Sequence, residues 1–276
     1  MKKLIAILIV SILSTTLLGC DKIFGASKSF NITPNFTNLT IEDATSLANK
    51  NNLKLEFVYD DYNKNYSDKV VIGQSISEGV VVANNTKIIL TINNYVYKYL
   101  VFSYIDDKTT LDKVVTNGGS VINPTDPTYH RLKKGTLMLS GLNLDDDLTS
   151  LNIPETYKGI PITAIDHYLL ANSQISHLAI PSTITVIGIN LCGTRDGVDE
   201  NSKISTIVFL SDTPIFIGSL ALTEAQLNGS CKIYVPDVAV EAYKNYDEGF
   251  FPLSTYKDLI LPLSQLPIED KNILGL

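Results

Sequence analysis

The hydrophobic pattern changes character several times along the chain, and each change marks a candidate boundary. Lys2 and Lys3 precede an apolar run from Leu4 to Leu18 that breaks at Gly19, Cys20 and Asp21. The run holds about 15 residues, short of the roughly 20 that a membrane-spanning helix needs. It also ends on small residues where a span would carry basic ones. This three-part layout predicts a cleaved secretory signal over residues 1–19, followed by a linker at 20–29. Ile41, Ala44, Leu47 and Ala48 then recur at helical spacing behind Thr40 as N-cap and Asp43 at N3, predicting a helix over about 41–51. Strands are expected at 53–59, 70–74 and 86–92, so that residues 30–94 read as one small α+β unit. Residues 95–102 are strongly β-prone and 118–127 are rich in turn formers, which makes 95–134 a β-rich segment.

From Gly135 to about Tyr246 the pattern repeats irregularly. Leu151-Asn152-Ile153-Pro154, His177-Leu178-Ala179-Ile180-Pro181 and Lys232-Ile233-Tyr234-Val235-Pro236 are strand-like runs stopped by proline, with Ile207-Val208-Phe209 before Pro214 as a degenerate member. Second short apolar runs follow at Ile162–Ile165, Ile184–Ile187 and Ile215–Ile217. One such repeat cannot bury its own apolar face, so the pattern predicts coils stacked into a β-solenoid over 135–248. The Asp-, Gly- and Asn-containing stretch from Gly193 to Lys203 reads as a protruding insertion. Residues 239–246 are expected as a capping helix, with the tail 249–276 packed loosely against it.

Five resemblances sharpen this outline. Leu17-Leu18-Gly19-Cys20 resembles the bacterial lipobox, which implies cleavage between Gly19 and Cys20 and covalent diacylglycerol on Cys20. Two buried acyl chains, at roughly 0.8 kcal/mol per CH2, would hold the chain to a membrane with on the order of 20 kcal/mol. Asp21 resembles an inner-membrane retention signal if the cell has two membranes, and carries no meaning with one. Pro34-Asn35-Phe36, Asn38-Leu39-Thr40 and Glu42-Asp43-Ala44, followed by Gly73-Gln74-Ser75, Glu78-Gly79 and Thr86–Leu90, resemble the PASTA domain over 30–94. Two glycines usual in that family are Asn38 and Asn85 here; asparagine is the non-glycine residue that best tolerates positive φ, so both turns can survive. A family proline is replaced by Glu78.

Tyr95–Phe102 with Gly118-Gly119 and the Pro124–Pro127 exit resembles an internalin-type B repeat without its final Gly-Trp, the other reading being a plain β linker. Gly159-Ile160-Pro161-Ile162-Thr163 and Tyr234–Tyr243, with the repeats between them, resemble the BspA-type leucine-rich repeat. The Ala-Phe usual after the second run is replaced by Leu169-Leu170, Leu191-Cys192 and Ala221-Leu222, all apolar. The implied fold class is multi-domain, a small α+β PASTA-like domain, a short β segment and a leucine-rich-repeat solenoid.

Charge then narrows the partners. The formal net charge is −7, and loss of Lys2 and Lys3 with the signal makes it −9. Binding to nucleic acid needs clustered Lys and Arg, which are absent. With Cys20 lipidated, Cys192 and Cys231 form neither a disulfide framework nor a metal spacing. They read as two buried small residues, with a disulfide between them as the other outcome.

Candidate chemistry is sparse. His130, His167 and His177 are the histidines, and Asp166-His167 lacks any nucleophile-elbow motif beside it. Neither His167, His177 and Asp166 nor the acidic pairs and triplets Asp106-Asp107 and Asp145-Asp146-Asp147 have the ligand spacing of a zinc or calcium site. Tyr95, Tyr97 and Tyr99 would share one face of a strand, either as core or as a platform for a sugar ring. Two carboxylates suffice for glycosidase chemistry, and the sequence offers no reason to invoke it.

The expectation is therefore a non-enzymatic surface lipoprotein on the extracytoplasmic face of a cell membrane, without catalytic residues, metal or cofactor. The resemblances imply peptidoglycan fragments and extracellular proteins as partners, in binding or adhesion. A structural or assembly component of the envelope that binds other membrane proteins is the alternative, and an extracellular hydrolase the remote one.

Overall fold

The computed structural model describes residues 29–106, 131–143, 148–248 and 252–276. It divides into two compact units, one containing Val70–Thr91 and the chain up to Val58, the other Tyr59–Lys69 with Ile92–Leu276.

The first unit begins with a ribbon of β1 (Phe30–Ile32) paired antiparallel with β4 (Val81–Ala83). A second sheet has the order β2-β5-β3, from β2 (Lys54–Asp61), β5 (Lys87–Asn93) and β3 (Val71–Gln74). Helix α1 (Ile41–Lys50) starts where the sequence places it. The Thr40 hydroxyl oxygen accepts from the Asp43 N–H at 3.1 Å, and Glu42 and Asp43 set negative charge against the positive end of the helix. Ala44 and Ala48, four residues apart, are buried with Phe36, Leu53, Val71, Ile88 and Leu90. The Gln74 side chain accepts from Phe36 N–H at 2.9 Å and donates to the carbonyls of Pro34 and Ile76, which holds the Pro34–Phe36 approach to the sheet. Asn38 and Asn85 adopt φ of 66° and 62°, so both turns keep the left-handed conformation that glycine would supply.

In the second unit one turn of helix α2 (Val96–Tyr99) leads into β6 (Leu100–Tyr104), which pairs antiparallel with β7 (Leu137–Leu142). From β7 as far as Val235 the chain passes back and forth between two sheets whose repeat strands run parallel, the short strand Thr156–Tyr157 aside. The first adds β10 (Ile160–Ile165), β12 (Val186–Ile187) and β14 (Phe216–Ile217) to β7; the short β9 (Thr156–Tyr157) folds back antiparallel on β10. The second runs β8 (Ser150–Asn152), β11 (His177–Ile180), β13 (Thr206–Phe209), β15 (Lys232–Val235) and β16 (Ile260–Pro262).

Register aligns like residues into columns. Leu151, Leu178, Ile207, Ile233 and Ile260 face one another across successive strands, as do Leu139, Ile165, Ile187 and Ile217 in the other sheet. Both columns belong to a single buried core. The alternate residues point to the other faces of the sheets. Met138, Ala164, Val186 and Phe216 form one such patch, with the Arg131 guanidinium 4.5 Å above the Phe216 ring. Ala179, Val208 and Tyr234 form the other, covered by Leu266 and by Leu274 of α4 (Ile268–Leu274).

Three expectations are corrected. Residues 96–99 are helical, because the Tyr97 and Lys98 N–H groups bond back to the carbonyls of Asn94 and Tyr95. The tail is integral, since β16 extends the second sheet beyond β15 and α4 covers its outer face. The 193–203 insertion is folded in by Asp199, which is 5 % exposed and accepts from the N–H groups of Asn172 and Asn201. The expected capping helix is present as α3 (Val240–Lys244), with the Tyr243 hydroxyl bonded to the carbonyls of Ser211 and Thr213 at 3.1 Å.

Candidate binding surfaces

The sequence singles out residues that the structure distributes rather than assembles. Gly19, Cys20, Asp107, His130 and Asp145–Asp147 lie outside the described residues. Tyr97 shares no face with Tyr95 and Tyr99, because the helical backbone between them turns it to the buried side. Tyr95 donates to the Tyr66 carbonyl at 2.9 Å and packs edge-on against Tyr62. Tyr97 is 6 % exposed, donates to the Thr156 carbonyl at 2.6 Å and stacks among Phe102 and Tyr157, and burial pushes its phenol well above the ordinary value. The Tyr99 ring carries the Lys98 ammonium at 4.9 Å. The three rings are engaged in separate packing, hydrogen-bond and cation contacts.

The two described histidines fasten neighbouring elements. His167 accepts the Ile189 N–H on Nδ1 at 2.8 Å, bridging the ends of β10 and β12. This contact needs Gly188, where an added Cβ would sit 2.6 Å from the same nitrogen. Asp166 accepts from the His167 backbone N–H at 2.8 Å, and burial raises its carboxyl despite that bond. His177 sits on β11 between the Ser176 hydroxyl, 2.8 Å from Nδ1, and Asp270 of α4, 3.2 Å from Nε2.

Sequence spacing could not have found this Ser-His-Asp chain, whose acid lies 93 residues away. The Ser176 hydroxyl lies 3.1 Å from the Thr149 carbonyl as well, a second partner beside His177 Nδ1. Asp270 also accepts from Thr206 at 3.3 Å, so the set clamps α4 onto β11 and β13. Among the described residues no group of three or more His, Cys, Asp or Glu could hold a metal ion. Cys192 and Cys231 are free and buried; burial pushes the Cys231 thiol up to about 12 and that of Cys192 well above its ordinary value.

Two features escaped sequence reasoning. One is a cavity of about 360 Å³ walled by Val198 of the insertion, Leu222, Leu227 and Tyr256, with Asn190 and Ser219 at its polar side. The insertion and the tail, whose placement periodicity could not give, contribute Gly197, Val198, Thr255 and Tyr256, and the repeats supply the rest. The other is the β1–β4 ribbon, whose Phe30, Ile32 and Val81 are more than 60 % exposed. Among the described residues no helix is long and apolar enough to cross a membrane. No curated protein matches the chain. Residues 32–94 match the family model of the PASTA domain, which spans α1 and the β2-β5-β3 sheet and stops short of the parallel sheets.

Proposed function

We propose that the chain is a non-enzymatic binding lipoprotein of the cell surface, held on the extracytoplasmic face of a membrane by diacylglycerol on Cys20. Its PASTA unit contacts peptidoglycan fragments, the ligand class that the family takes, and its second unit is a leucine-rich-repeat solenoid of BspA type that presents a surface to extracellular proteins. The observation that carries the binding role is the PASTA match over residues 32–94. The solenoid reading is supported by the column Leu151, Leu178, Ile207, Ile233 and Ile260, whose members lie 27, 29, 26 and 27 residues apart, each the span of one coil. A role without chemistry is supported by the groups themselves. The Ser176 hydroxyl has a backbone carbonyl as acceptor beside its histidine, and the two thiols are buried and held protonated. The anchor is supported by Leu17-Leu18-Gly19-Cys20 behind a short apolar run.

Titration of residues 21–276 with purified muropeptides in a calorimeter tests the first module, and saturable heat is expected. Absence of heat, together with cross-links in cells to membrane proteins alone, favours the envelope-assembly role instead.

A further inference from the structure

The β1–β4 ribbon carries its apolar residues on the wrong side for a folding core. Within β1, Phe30 and Ile32 are each 62 % exposed, whereas Asn31 between them is half-buried; within β4, Val81 is 64 % exposed and Val82 is half-buried. Register sets Ile32 opposite Val81 and Phe30 opposite Ala83, so the four side chains share one outward face. Among the described residues neither strand pairs with any other. Ser29–Thr33 and Gly79–Thr86 contain no charged side chain. A contiguous apolar face of this kind marks a contact surface.

We infer that this face docks on the lipid bilayer, as a second attachment beside the acylated cysteine; the inference rests on the lipid-anchor reading. Phe30 lies ten positions after Cys20, and at no more than about 3.5 Å per residue this keeps the start of the ribbon within roughly 35 Å of the anchored residue. A tether this short holds the face at high effective concentration beside the membrane, so that contacts too weak to bind a free protein become occupied. The chemistry suits the boundary between headgroups and acyl chains. Phe, Ile and Val enter it without desolvating an ion, and the acidic protein gains nothing from anionic headgroups. The partner is therefore an uncharged or zwitterionic lipid surface.

The chain contains no tryptophan, so a single one reports the contact. The lipidated full chain carrying Ile32→Trp is reconstituted into phosphatidylcholine vesicles with and without brominated acyl chains; Asn49→Trp, on the exposed side of α1, serves as control. The expected result is a blue-shifted Ile32→Trp emission that brominated chains quench, lost when Phe30→Ser and Val81→Ser are added, with the control unquenched. Unshifted, unquenched emission from a chain that still floats with the vesicles overturns the docking and leaves the anchor intact. A chain that carries no acyl group and does not float overturns both. A blue shift without quenching, accompanied by concentration-dependent dimers in the ultracentrifuge, assigns the face to a second copy and also overturns it.

Discussion

Truncating Ile207 to alanine tests the packing of the second unit at a fully buried position. Ile207 is fully buried on β13 and lies in register between Leu178 of β11 and Ile233 of β15. The substitution removes three carbons, worth about 2.4 kcal/mol at ~0.8 kcal/mol each. Because both flanking strands are held by their own ladders, the hole cannot collapse, and a cavity cost brings the loss to roughly 3–4 kcal/mol. Ile260→Ala on β16 has a neighbour in register on one side only, Ile233, so its loss should be smaller, about 2 kcal/mol. Urea unfolding followed by tyrosine fluorescence measures both, since every tyrosine lies in the second unit as divided at Val58 and Val70–Thr91, Tyr59 alone sitting on the shared strand β2. Equal losses at the two positions, or a loss below about 1 kcal/mol at Ile207, would refute columns of neighbouring strands as the source of the core.

Asp270→Ala removes the acceptor of both His177 and Thr206 and should cost about 1–3 kcal/mol. Hydrogen exchange should quicken first in α4, and unchanged exchange there would contradict the clamp. The Cys231 thiol, lifted by burial from 9.0 to about 12, stays protonated in the folded chain where the unfolded chain ionises. Stability present below pH 9 should therefore be lost as pH rises from about 9 to about 12, and neither cysteine should react with a disulfide reagent at neutral pH until the chain unfolds. Asn38→Ala should destabilise the first unit by about 1 kcal/mol, whereas Asn38→Gly should be near neutral, as read by thermal circular dichroism.

Local signals carried much of the first unit. The Thr40 cap, the Ala44 and Ala48 spacing and the asparagines at 38 and 85 act within a few residues of themselves, and the structure places each as expected. In the second unit the apolar runs were legible but their phase was not. The prolines 154, 181, 214 and 236 suggested uneven repeats, yet the strands repeat almost evenly, because Leu210 rather than Pro214 follows the third strand. The tyrosines at 95, 97 and 99 alternate like a strand, but the carbonyls of Asn94 and Tyr95 close a helical turn over that propensity. The tail failed for a different reason. Ile260-Leu261-Pro262 is too short to announce a strand, and only the open edge of β15 makes it one. The cavity and the His177–Asp270 clamp join segments distant in sequence, which no spacing rule reaches.

The most direct check on a lipid-held surface protein is the mass of its mature N-terminus. Protein extracted from cell membranes with detergent should begin at Cys20, lack residues 1–19 and carry the added mass of diacylglycerol on the thiol. An intact Met1, or a Cys20 present as the free thiol, would contradict the account.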